Sequence, residues 1–140
     1  MTALLCLVVA ITDGDTVKAR CPDQPQQTIR LASIDAPEKR QPWGERSRQH
    51  LAALCFRQQA KLTPHTTDRY GRTVGAVECQ GQDASSAQVQ AGMAWVYRKY
   101  APKGSPLYTY EDAARMAREG LWADPAPLPP WEWRRERRLP

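Results

Sequence analysis

The sequence predicts an α+β fold, a five-stranded β-barrel with three α-helices inserted and appended. Three observations lead there. Short apolar and β-branched runs recur along the chain and are set apart by Asp-Gly, Pro and Gly. Segments with apolar residues three and four apart fall between and after those runs. The chain has 140 residues, 41% of them apolar and 25% charged, which suits a single domain with its own core.

The elements follow in order. Residues 4–12 read as a first strand rather than a leader, because they lack a basic start and a small-residue cleavage site and run straight into Asp13-Gly14. Asp-Gly between strand-like runs predicts a hairpin, with residues 16–19 as the second strand. A two-residue turn at 13–14 would pair positions whose numbers sum to 27 and set Cys6 opposite Cys21. Residues 28–34 read as a third strand, with Ile29, Leu31 and Ser33 on one face and Arg30, Ala32 and Ile34 on the other. Ala36-Pro37 stops it. Leu51, Leu54 and Cys55 give helical spacing within 44–58.

Two further strands, 60–66 and 73–79, flank the polar turn Asp68-Arg69-Tyr70-Gly71-Arg72. A short helix over 84–92 ends at Gly92, with Ser85-Ser86 reading as its cap. An aromatic, strand-like segment covers 94–100, and a last helix over 108–118 stops before Gly120. Residues 124–130 hold four prolines, the composition of an extended linker. The chain therefore divides into a domain over 1–124 and a Pro/Trp/Arg-rich tail over 125–140. This order is compatible with an OB-fold.

Charge narrows the partners only a little. The net charge is +5, with fifteen Arg against five Lys, and the tail supplies four of those Arg. Arg is the better fork for phosphate, so an anionic partner gains weight, but the excess is too small to establish nucleic-acid binding. No run of eighteen apolar residues exists to cross a membrane. Cys6, Cys21, Cys55 and Cys79 form no C-x-x-C pair, which disfavours a zinc ribbon. They leave two readings, a pair of disulfides (Cys6–Cys21 and Cys55–Cys79) or four buried thiols. His50 and His65 lie apart from every other candidate and read as ordinary surface or packing residues.

Polar residues at strand ends and turns carry the chemistry. Asp13, Asp15, Asp35 and Glu38 with Arg30 and Arg72, gathered at one barrel end, would set a hard-cation site beside a clamp for phosphate oxygens. Each has a bland alternative: Asp-Gly is usually only a turn, Arg30 could pair with Asp35, and Glu38 could be solvated. The combination is harder to dismiss.

Three strings, Asp13-Gly14-Asp15-Thr16, then residues 29–38 (Ile-Arg-Leu-Ala-Ser-Ile-Asp-Ala-Pro-Glu), then Asp68-Arg69-Tyr70-Gly71-Arg72, resemble the staphylococcal nuclease family over about residues 4–124. Supporting matches lie at Gln41–Glu45, Val89–Ala94 and Glu111–Trp122. The resemblance implies a Ca²⁺-dependent phosphodiesterase acting on DNA and RNA, single strands favoured, and leaving 3′-phosphates. Asp15 and Asp35 would hold Ca²⁺ with the Ala36 carbonyl, where the family usually has Thr; Asp13 would lie behind them. Glu38 would take a proton from water or orient it, and Arg30 and Arg72 would hold the phosphate. Glu45 would support the loop carrying Glu38. Tyr70 would border the nucleotide pocket, with Tyr97 and Tyr100 as candidates for its second wall. The Pro-Pro-Trp-Glu-Trp-Arg-Arg tail resembles members that are usually exported; its tryptophans would pack on the barrel or the last helix and its Arg run would be solvated. The expectation is a monomer without obligate protein or membrane partner, secreted or periplasmic, with the cytoplasm as the alternative place. A catalytically inactive nucleic-acid-binding module of the same fold is the competing reading, as is an unrelated barrel whose charges are surface pairs. Retention of all five catalytic-type residues favours the enzyme.

Overall fold

A computed structural model describes residues 2–138. The strands are β1 (Leu4–Asp13), β2 (Thr16–Arg20), β3 (Gln27–Leu31), β4 (Ile34–Asp35), β5 (Gln59–Thr67), β6 (Thr73–Cys79), β7 (Gln82–Asp83) and β8 (Trp95–Val96). The helices are α1 (Gly44–Cys55), α2 (Ala84–Gln90), α3 (Leu107–Met116) and α4 (Pro130–Arg138), with a 3₁₀ turn at Gly120–Ala123. The fold class is as predicted, with one helix more, because the tail is itself helical.

Five strands close into a barrel. β1 pairs antiparallel with β2 and β5, β2 with β3, and β5 with β6. The parallel pairing of β3 with β6 completes the ring. At that seam Leu31 lies beside Gly75, and a Cβ on Gly75 would stand 2.5 Å from the Thr63 carbonyl oxygen. Ile29, Leu31, Leu62, Val17 and Val77 fill the interior, and α1 lays Leu51, Leu54 and Cys55 over it at the predicted spacing.

Two of the local readings that need correction concern the ends of strands near the acidic residues. The first hairpin turns at Gly14-Asp15, not at 13–14, because Asp13 pairs with Thr16. Two irregularities in β1 then restore the expected register, so that Leu7 faces Arg20. β3 ends at Leu31, not at Ile34. Ser33 takes a left-handed φ of 70°, and this turn redirects the chain so that Ile34 and Asp35 pair with Val96 and Trp95. Alternation through that turn fails, and Ile34 is buried like Ile29 and Leu31.

The segment read as a strand over 94–100 is ordered into strand only at β8. It is tied to α3 by Glu111, which is fully buried and accepts a 2.8 Å bond from the Val96 N–H. At α2 the cap is Asp83, which accepts from the Ser86 N–H and hydroxyl, while the Ser85 hydroxyl donates to the Ala32 carbonyl.

The cysteines form two disulfides. Cys6–Cys21 joins the outer ends of β1 and β2, with Cα atoms 4.3 Å apart, and Cys55–Cys79 joins the end of α1 to β6 at 5.3 Å. The first follows from the restored register. Their loops span 15 and 24 residues, and cross-links closing loops of that size stabilise a fold by about 3 kcal/mol each. Reduction should therefore lower the urea midpoint by the equivalent of several kcal/mol, and Cys55→Ala with Cys79→Ala should lower it by about half as much. A midpoint indifferent to reductant would exclude both bonds.

Candidate active site

The acidic residues gather at one end of the barrel, each delivered by a different piece of backbone. Asp15 lies in the β1–β2 turn, which α1 and α2 hold tightly. A Cβ at Gly14 would collide with the Ser47 side chain, so only glycine lets the turn approach that helix. The Gly14 carbonyl accepts a 2.7 Å bond from Gln88 Nε2, which also reaches the Ser47 carbonyl at 3.1 Å. Gln88 is fully buried, so this amide is a fixed support for the turn. His50 occupies its remaining oxygen and is no part of the acidic cluster.

Asp15 is itself buried. Its Oδ1 accepts from the Thr16 hydroxyl at 2.8 Å and its Oδ2 from the Ala36 N–H at 2.8 Å. That second bond fastens the hairpin turn to the segment that carries Asp35. Asp35, 1% exposed, sits on β4. Arg30 projects from β3 between the two: its Nη2 lies 3.6 Å from Asp15 and 3.4 Å from Asp35. Its Nη1 donates to the carbonyls of Leu31 (3.0 Å) and Ile34 (2.8 Å), across the turn at Ser33. Arg30 thus holds both the carboxylates and the irregular backbone between them.

Glu38 stands three residues beyond Asp35 on a loop that Gln41 braces. The Gln41 side-chain oxygen accepts from the Glu38 N–H at 3.0 Å, and the Gln41 N–H donates to the Glu38 carbonyl at 2.9 Å. The support expected of Glu45 comes from Gln41. Glu45 is exposed and pairs instead with Arg48 and Gln49 on its own helix, and the Arg48 hydrogen bond holds its carboxyl down at about 2.

Arg72 is placed differently from Arg30. It precedes β6, whose first residue, Thr73, lies beside Ile29 of β3. Its backbone N–H and Nε bind the Asp68 carboxylate at 2.9 and 2.7 Å, leaving its two Nη groups without a hydrogen bond to the described residues. Tyr70, 69% exposed, lies against the guanidiniums of Arg69 and Arg72. Tyr97 and Tyr100 meet edge to face at 5.2 Å, and Tyr100 is exposed.

One charged group in the cluster was not anticipated. Arg134 of α4, expected in solvent, lies among the carboxylates. Its Nη2 is 2.6 Å from Asp35 Oδ2, and its Nη1 is 2.6 Å from Glu38 Oε1 and 3.3 Å from Asp35 Oδ1. One turn earlier Trp131 lies parallel to Tyr97 (5.6 Å, 2°) and edge-on to Trp95 (5.6 Å). The tryptophan packing was expected, but the pairing of Arg134 with the carboxylates was not. The signal available was the three-residue interval between Trp131 and Arg134, which puts both on one face of a helix.

Crowding perturbs the carboxyls. Burial first, then the charge on Asp15, pushes Asp13 up to about 8. Burial also pushes Asp15 up, but Arg30 and the bonds from Asp13, Ala36 and Thr16 outweigh it and hold Asp15 below the ordinary carboxyl value. Asp35 is pushed up to about 6 by burial, against hydrogen bonding from Arg134 and with help from the Asp15 charge. Such a cluster favours a bound cation.

Among the described residues no three His, Cys, Asp or Glu side chains converge at metal-ligand spacing. The donor set is nevertheless all oxygen, two carboxylates with the Ala36 backbone between them, and a guanidinium has been drawn against it. That chemistry fits a hard ion that takes its remaining oxygens from carbonyls and water.

A barrel that gathers buried carboxylates beside guanidiniums at one end suits the class of phosphate-ester hydrolases. Comparison with known proteins makes the class specific. A family model described as "Staphylococcal nuclease homologue" matches residues 28–124. The chain is 46% identical to the micrococcal nuclease of Shigella flexneri, over 91% of this chain and 79% of that protein. It is 45% identical to protein ParB of Escherichia coli (92% and 78%) and 38% identical to an uncharacterized endonuclease of Haemophilus influenzae (96% and 75%). The chain belongs to the staphylococcal nuclease family of phosphodiester hydrolases and, by that membership, is a nuclease.

The raised carboxyls set a pH dependence. A carboxyl whose folded value is raised stabilises the fold below its unfolded value of about 4, and that contribution is lost as pH rises through the folded value. In chelator, thermal stability should thus fall as pH climbs from about 4 to about 8. Asp13→Asn should flatten the upper part of that fall in a melting-temperature series. An identical slope in the variant would remove Asp13 from the account.

Proposed function

We propose that the chain is a Ca²⁺-dependent nuclease that hydrolyses DNA and RNA, favours single strands and leaves 3′-phosphate ends. The observation that supports it best is the meeting of Asp15 and Asp35, from separate elements, on one Arg30 nitrogen, with Glu38 beside them. Asp15, Asp35 and the Ala36 carbonyl would hold Ca²⁺, with Asp13 behind Asp15. Bound there, Ca²⁺ would polarise a non-bridging phosphate oxygen and offset the charge that develops on it.

This chain's own residues divide the remaining work. Glu38 takes the proton of the attacking water as its oxygen bonds to phosphorus, or orients that water. The bond from phosphorus to the 5′-oxygen breaks, the phosphate stays on the 3′ side, and the departing oxygen acquires a proton from solvent. Arg72, with its Nη fork unspent, suits the phosphate and the departing oxygen better than Arg30 does. Arg30 gives one nitrogen to backbone carbonyls, so its larger part is to keep the carboxylates in place. Tyr70, Tyr97 and Tyr100 offer ring faces on which bases can stack. The pair of disulfides supports an exported enzyme working in an oxidising compartment. In this reading the enzyme acts as a monomer without an obligate protein partner.

The purified protein should degrade single-stranded DNA faster than duplex when given Ca²⁺, and a chelator should stop it. Products should accept label at the 5′-hydroxyl without prior dephosphorylation. Cleavage unaffected by chelator, or products bearing 5′-phosphates, would refute the reading. Glu38→Gln and Arg72→Ala should each lower kcat by about a hundredfold or more. Full turnover in either variant would remove that residue from the chemistry.

A further inference from the structure

We propose that α4 is a built-in occupant of the cation site: Arg134 holds the place of a divalent ion at Asp35, and the docked helix and the ion exclude one another. The inference rests on the reading of Asp15 and Asp35 as cation ligands, and the test below separates the two.

Geometry carries the argument. Arg134 contacts both oxygens of Asp35, at 2.6 and 3.3 Å, and Asp35 Oδ1 also faces Arg30 at 3.4 Å. Asp35 is almost wholly buried, so no water-facing oxygen is left for an ion. The same guanidinium holds Glu38 at 2.6 Å, which places a cation on the group read as the proton acceptor. While Arg134 stays there, one ligand and the base are both engaged. Trp131 meanwhile covers a face of Tyr97, one of the rings offered to bases.

The dock is specific yet reversible in form. Trp131 anchors the helix on Trp95 and Tyr97, and Gln41 donates to the Leu128 carbonyl at 2.5 Å. Gln41 also holds the Glu38 N–H, so one side chain joins the tail to the loop of the base. The connection upstream is the Pro-rich stretch 124–130, and Arg135, Arg137 and Arg138 are exposed. Arg134 itself is 31% exposed in its side chain, so its ion pairs are open to exchange. A nine-residue helix does not persist alone in water, so release of α4 would also unwind it.

A protein whose binding-competent state is a minor one shows an affinity reduced by that fraction. Freeing the site should therefore tighten Ca²⁺ binding by about tenfold or more. The test is calorimetric titration of the full chain, stripped with chelator, with CaCl₂ and without substrate. Wild type, Arg134→Gln and Trp131→Ala are compared; the two variants loosen the dock at separate points, and thermal melts check that each is folded. Both should bind Ca²⁺ about tenfold or more tighter than wild type. In wild type alone, Ca²⁺ should also speed tryptic cleavage after Arg134 and Arg135. Equal affinity in all three proteins would overturn this proposal and leave the Ca²⁺ reading standing. Weaker binding in Arg134→Gln would also overturn it and make Arg134 a supporting residue of the ion site. Absence of Ca²⁺ binding in every protein would overturn both.

Discussion

Two buried carboxylates at one end of a small barrel repel each other, and the guanidinium of Arg30 is what lets them stand together. Its Nη2 faces Asp15 and Asp35 while its Nη1 binds the carbonyls of Leu31 and Ile34. The residue therefore does electrostatic and mechanical work at once. Without it Asp15 would lose the one ion pair it makes among the described residues, Asp35 would keep only Arg134, and the turn at Ser33 would lose two hydrogen bonds. Breaking such a pair by removing one partner typically costs several kcal/mol, because a charge is left buried alone.

Around this centre the fold supplies rigid support from elements that carry none of the clustered carboxylates themselves. Gln88 pins the turn that carries Asp15, and the Ala36 N–H fastens that turn to β4. β4 leans on β8, and β8 is fixed to α3 through the buried carboxylate of Glu111. Arg98 and Arg115 approach Glu111 at 3.4 and 3.7 Å. The acidic end of the barrel thus depends on all of the first three helices. Sites held by packed elements in this way keep their geometry better than sites on free loops.

Much of this was legible in the residues because it is local. Asp13-Gly14 announced a hairpin, the 51–54–55 spacing announced α1, and the run through Asp35 and Glu38 announced an acidic segment after a strand. Register in the hairpin was legible in its outcome but not in its path, since two bulges in β1 compensate for a turn placed one residue later. The break in β3 escaped because Ser33, not glycine or proline, takes the left-handed conformation there. Gln41, Gln88 and Arg134 escaped for a different reason. The partners Leu128 of Gln41, Gly14 of Gln88 and Asp35 of Arg134 lie 87, 74 and 99 residues away in sequence, and no periodicity encodes a contact of that range; the brace from Gln41 to Glu38 spans only three residues but sits in an irregular loop that has no period to read. Family resemblance pointed to the acidic and basic residues of the barrel, but in the tail only the interval between Trp131 and Arg134 hinted at a shared helix face, and nothing there named its partners.

The parallel seam between β3 and β6 has a bearing on how the protein behaves at high concentration. Open sheet margins recruit strands from other molecules, and long flat ones seed aggregates. Here the ring closes on itself, and the margins that the described residues add outside it are two-residue strands, β7 beside β6 and the β4–β8 pair. A margin that short offers too few backbone groups to template a neighbour. Glycine at position 75 serves that closure from the other side of β6: a bulkier residue there would meet the Thr63 carbonyl and the Pro64 backbone of β5, press β5 away from β6 and expose the border the ring now hides.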